Sequence, residues 1–172
     1  YEFLFIRTWR RGRQTLLRKI ERARSLKEWR EAAEECDLAE GNDRWRKESA
    51  SPHYNSELIC SLTTQLRAAL RADDHERLMD LLGTAVLRSD VGGIDNALLY
   101  SQTYYRTKDT IESFLDRCED AIKVIKGSST VTREAKWALG QMAGRAFGRT
   151  ALCLSGGATL GFYHLGVIKE LV

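Results

Sequence analysis

The chain has 172 residues, 43% of them hydrophobic, with 27 Lys and Arg against 24 Asp and Glu and a net charge of +3. That is enough apolar material for a core, which excludes wholesale disorder. A single proline excludes collagen-like, polyproline and loop-rich β-sandwich architectures.

Charge is unevenly spread. Residues 1–30 carry ten basic side chains against three Glu, a local excess of +7, and the rest of the chain carries −4. The opening Tyr1–Ile6 run is aromatic and apolar, and Trp9 then stands among Arg7, Arg10, Arg11 and Arg13. An apolar aromatic edge running into a basic cluster suits a membrane surface, as the flank of a membrane segment or as an interfacial helix, where each basic residue near anionic lipid adds roughly 1 kcal/mol. It also suits a solvated basic helix that packs Leu16, Leu17 and Ile20 on the domain. Nucleic acid is the least supported partner and is not expected. Residues 1–24 are therefore set apart as a basic, interfacial or juxtamembrane segment.

From Ser25 onward the pattern is helical. Ser25 and Glu28 form a capping-box pattern ahead of Leu26, Trp29, Ala33 and Cys36. Gly41-Asn42-Asp43 predicts a break, and Ser49–Pro52 a loop. Leu58, Ile59, Leu62, Leu66, Ala69 and Leu70 predict one apolar helix face. Asp73-Asp74-His75-Glu76 offers a cap ahead of Leu78, Leu81, Leu82, Ala85 and Val86, and Gly92-Gly93 closes that unit. Thr107 is read as the cap of a helix whose stripe is Ile111, Phe114, Leu115, Cys118, Ile122 and Ile125, stopped by Gly127. A further helix is expected from about Val131 to Phe147. The chain is thus mainly α, with a helical domain over 25–149.

The character changes at Thr150. Ala151–Leu154 is a short apolar run suited to a buried parallel strand, followed by Ser155-Gly156-Gly157-Ala158-Thr159-Leu160-Gly161 and then an apolar helical pattern to Val172. Strand, glycine turn and helix make the first βα unit of an α/β domain, over 150–172. Such a turn aims backbone N–H groups at a point above the helix N-terminus. Ala158 breaks the dinucleotide fingerprint, and Phe162-Tyr163 stand where a P-loop needs Lys and Ser/Thr. From the residues alone, an oxyanion hole, a phosphate site and mere tight packing all remain open.

The run Phe147–Val167 resembles the start of a patatin-like phospholipase domain, and more narrowly the triacylglycerol lipases of fungi and the plant sugar-dependent lipase. The helical part is similar to their N-terminal lipase-associated domain through Trp29, Ala32-Ala33, Tyr54 ahead of Leu58-Ile59, Leu98–Tyr100 and Thr107-Lys108. The resemblance implies a lipid acyl hydrolase with a Ser–Asp dyad, a G-x-S-x-G nucleophile and a D-G-[GA] base. It implies no cofactor, a triacylglycerol or phospholipid substrate, and an oxyanion hole from the backbone of Gly156, Gly157 and Ala158 with Gly161 beside it. Ala158 replaces the third glycine of the usual pattern, and Leu160 the frequent basic residue. No G-x-S-x-G and no Asp-Gly occurs in the 172 residues, so no catalytic Ser or Asp is assigned and the chain alone is expected to be inactive. The alternatives are a non-catalytic helical module that binds a lipid surface or partner, and a nucleotide-binding α/β protein.

The remaining polar residues have structural readings. Cys36, Cys60, Cys118 and Cys153 and the three histidines, His53, His75 and His164, are scattered and show no zinc spacing, so no metal is expected. Free thiols in an intracellular, reducing compartment are the expectation. Trp29, Trp45 and Trp137 are read as core or interface anchors. Tyr1 and Val172 cut into patterns at both ends, which is read as a fragment. Oligomeric state is not legible.

Overall fold

The computed structural model describes residues 14–87, 90–146 and 169, and among them every regular element is helical. The mainly α expectation therefore holds, while the strand and glycine turn expected over 150–172 lie outside the described residues.

The helices are α1 (residues 14–22), α2 (Leu26–Glu40), α3 (Asn42–Lys47), α4 (Ser56–Arg71), α5 (His75–Leu81), α6 (Asp109–Gly127) and α7 (Arg133–Ala146). The core is built where α4 lies along α6. Ile59, Leu62, Leu66 and Ala69 of α4 meet Ile111, Phe114, Cys118, Ala121 and Ile125 of α6, all buried. The three- and four-residue spacings keep each set on one helix face. Truncating a residue such as Leu66, fully buried, would cost about 2–5 kcal/mol.

α5 runs into a π-helical turn, Leu82–Val86, in which the Leu87 N–H reaches the Leu82 carbonyl at 3.0 Å. The widened turn brings Val86 onto the buried side of Leu81, and Leu87 onto that of Leu82. A 3.6-residue turn would set residues five apart about 140° from each other and so turn Val86 away from Leu81 and Leu87 away from Leu82.

Local signals explain most helix ends. The Ser25 hydroxyl accepts the Glu28 N–H at 3.2 Å, and Glu28 reaches back to the Arg24 N–H at 2.9 Å, one residue outside the usual box. Asn55 and Asp74 cap α4 and α5 through the N–H groups of Leu58 and Arg77. Gly41, at φ 77°, ends α2 and starts α3 at once, so the expected break is a sharp corner between two helices.

Two expected signals are corrected. Thr107 does not cap α6: its hydroxyl donates to the Leu99 carbonyl, and its N–H bonds Glu112 at 3.1 Å. Gly127 is not the stop. It is the last residue of α6, and the helix ends because Ser128 turns to extended backbone.

Candidate functional site: the junction of α2, α3 and α6

The residues singled out from sequence as site residues lie outside the described residues. These are Gly156, Gly157, Ala158 and Gly161 of the glycine turn, and Arg7, Trp9, Arg10, Arg11 and Arg13 of the basic segment. What the structure does bring together is a cluster of buried polar groups at the junction of α2, α3 and the start of α6.

Lys108 is its centre. The residue is 1% exposed, its ammonium donates to the carbonyls of Trp45 and Glu48 at 2.8 Å each, and it lies 4.4 Å from the centre of the Trp45 ring. Those carbonyls belong to the last turn and cap of α3, where helix geometry leaves acceptors without intrahelical partners. Lys108 thus supplies, from the far side of a 60-residue stretch of chain, the cation that a helix C-terminus favours. Burial pulls its pKa below the ordinary lysine value, against the opposing pull of Glu48. Arg46 completes the α3–α6 link, with its Nε on the Thr107 carbonyl at 3.2 Å and its guanidinium 3.3 Å from Asp109.

Asp37 is the second centre. It is 2% exposed and accepts from the Asn42 side chain at 3.0 Å and from the backbone N–H groups of Tyr104 and Tyr105 at 2.9 and 3.2 Å. The loop before α6 is therefore fastened to α2. Tyr105 meets Trp29 edge-on at 5.9 Å, and the guanidinium groups of Arg30 and Arg106 lie 5.1 and 5.2 Å from its ring centre.

Chemically this cluster holds and does not react. Lys108 has two of its three N–H groups on carbonyls, and among the described residues every buried side-chain nitrogen and oxygen has a hydrogen-bond partner. Among the described residues, no group of His, Cys, Asp and Glu is placed to hold a metal ion. Cys118 is buried in the α6 stripe, where burial pushes its thiol up to about 12, so it is no thiolate nucleophile.

Sequence reasoning missed both centres. Asp37 left a signal, because it falls four residues after buried Ala33 and so on the apolar face of α2. Lys108 left none beyond the Thr107-Lys108 pair, since its partners are about 60 residues away.

The basic segment is visible only in its last part. On α1, Leu16, Leu17 and Ile20 are half-buried while Arg18, Lys19 and Arg22 are exposed. These three cations line a groove of about 520 Å³ whose other wall carries Glu28, Glu31 and Glu35 of α2. Lys19 pairs with Glu35 at 2.6 Å. Basic and acidic side chains balance in this groove. Among the described residues no helix is long and apolar enough to cross a membrane.

The model of a domain of unknown function, DUF3336, matches residues 6–144, from before α1 into the last turn of α7. The chain belongs to the DUF3336 family. It is also similar over nearly all of its length to fungal proteins named patatin-like phospholipase domain-containing proteins. Identity is 38% over 96% of the chain for one from Phaeosphaeria nodorum, 36% over 100% for one from Coccidioides immitis, and 34% over 100% for one from Emericella nidulans. The chain spans 22%, 24% and 25% of those relatives, about a quarter of their length. No solved structure matches it significantly.

Proposed function

We propose that this DUF3336 chain is the helical N-terminal part of a patatin-like lipid acyl hydrolase together with the opening of its catalytic domain. In this reading residues 1–24 are the basic interfacial segment, 25–149 the helical domain, and 150–172 the first βα unit. The observation that carries the reading is that similarity to patatin-like phospholipase domain-containing proteins runs through the whole chain. It therefore includes the Ser155–Gly161 turn.

The whole protein would cleave a triacylglycerol or phospholipid ester at a membrane or lipid-droplet surface inside the cell. Its nucleophilic Ser and its Asp would come from residues other than these 172, in which neither motif occurs. The N–H groups of Gly156, Gly157 and Ala158 would stabilise the tetrahedral oxyanion, each such donor being worth about 2.7–4 kcal/mol in the transition state. Gly161 would let the following helix start close to the ester.

The test is hydrolysis of a long-chain triacylglycerol emulsion and of phospholipid vesicles by the full-length protein, with Gly157→Pro beside it. Removing that N–H should lower kcat by about 100- to 1000-fold. Full activity in the variant would remove the oxyanion assignment, and an inactive full-length protein carrying both motifs would remove the hydrolase reading.

A second reading, a non-catalytic helical module at a lipid surface, is favoured by the ten basic residues among the first 30. Flotation with anionic vesicles at low salt tests it. The triple variant Arg10→Glu, Arg11→Glu, Arg13→Glu should lose binding, and equal flotation of both proteins would count against a surface role for this segment.

A further inference from the structure

One helix face is left uncovered in a way that its own composition does not explain. α7 seats Leu139, Met142, Ala143 and Ala146 on the core. The opposite face carries Trp137, Gly140, Gln141 and Gly144, three, four and seven residues apart and so in one row. Trp137 is 70% exposed, the most exposed of the large hydrophobic side chains among the described residues. Of the two readings of Trp137, core anchor or interface anchor, the core one does not hold.

The two glycines make the same point independently. A Cβ placed on Gly140 or Gly144 meets nothing within 4 Å, and neither has a positive φ. Glycine inside an exposed helix weakens it, and here no turn or close neighbour among the described residues calls for one. Small residues beside a large exposed aromatic form a groove-and-knob face that admits another helix or strand at short range.

We infer that this face of α7 is the docking surface for residues 147–172 of the same chain. That segment begins directly after α7 ends at Ala146, so it is held close to the face by its own connection. Among its residues only Arg149, Lys169 and Glu170 are charged, and Leu152, Leu154, Phe162, Leu165, Ile168 and Leu171 require cover. The inference does not depend on the hydrolase reading.

The experiment uses the 172-residue chain. The fluorescence of Trp137 is obtained as the difference between wild type and Trp137→Phe, with acrylamide quenching. The expected result is blue-shifted emission, protected from acrylamide, that is unchanged by dilution and present without vesicles. Leu165→Asp should return the emission to that of tryptophan in water. So should Gly144→Leu, which raises intrinsic helix propensity and whose helix content is checked by circular dichroism. Water-like emission in the wild type would overturn the inference, as would a blue shift insensitive to both substitutions. A shift lost on dilution would assign the face to a second copy instead, and one that needs anionic vesicles would assign it to a lipid surface.

Discussion

Lys108 lies with its ammonium 4.4 Å from the centre of the Trp45 ring while it donates to the Trp45 and Glu48 carbonyls, so one residue covers both the ring face and the open end of α3. The energy of this arrangement is in what its loss would leave behind. An unmet buried acceptor costs about 1–3 kcal/mol, whereas an exposed ion pair such as Lys123–Glu119, with both side chains about two-thirds exposed, is screened by water and contributes little. Lys108→Met keeps the stem and removes the donors. It should lower unfolding free energy by about 2–4 kcal/mol in urea titration, while Lys123→Met should leave the urea midpoint close to that of the wild type.

Asp37 holds two consecutive backbone N–H groups of the loop before α6. Asp37→Asn keeps the shape but puts an N–H₂ where one of three donors now points. A loss of about 2–3 kcal/mol is expected. Amide exchange at Tyr104 and Tyr105 should quicken in the variant more than exchange at buried Leu66. Uniform quickening would mean that the loop is not fastened locally.

Gly41 and Gly93 both have positive φ, 77° and 80°, but different surroundings. A Cβ on Gly41 meets nothing within 4 Å, so Gly41→Ala should cost only the backbone term, about 1 kcal/mol. A Cβ on Gly93 lies 3.2 Å from the His53 carbonyl oxygen and 3.4 Å from the Tyr54 Cα, and backbone cannot swing aside as a side chain does. Gly93→Ala should therefore destabilise more than Gly41→Ala in the same thermal melt.

Cys118 gives the protein an alkaline limit. Its folded pKa is raised to about 12 from the ordinary 9.0, by burial. Between those values the unfolded thiol has lost its proton and the folded one has not, so unfolding free energy falls as pH rises. The contribution is fully present below about pH 9 and declines by about 1.4 kcal/mol per pH unit above it. Subtracting the curve of Cys118→Ala should isolate that slope. In the native wild type, exposed Cys60 should react with a thiol reagent while Cys118 does not.

The amphipathic stripes of α4 and α6 were legible because burial imposes a helical period on any residue that faces a core, whatever its partner. Ser25, Asp74 and Gly41 were legible as helix ends because their bonds close within a few residues. Thr107 was misread because its hydroxyl has a distant competitor, the Leu99 carbonyl, and Gly127 because any glycine after an apolar stripe resembles a stop.

By itself, then, the sequence determined the mainly helical class, the places where chain direction changes, and the glycine run that carries the resemblance to patatin-like phospholipases. All of these rest on neighbours in the chain. Only the tertiary structure decided that Lys108 closes α3, that Asp37 fastens the loop to α2, and that Trp137 stands outside the core. A buried charge is stable only beside partners brought from elsewhere in the chain, and an exposed aromatic is defined by what fails to cover it. Neither condition is written in local spacing.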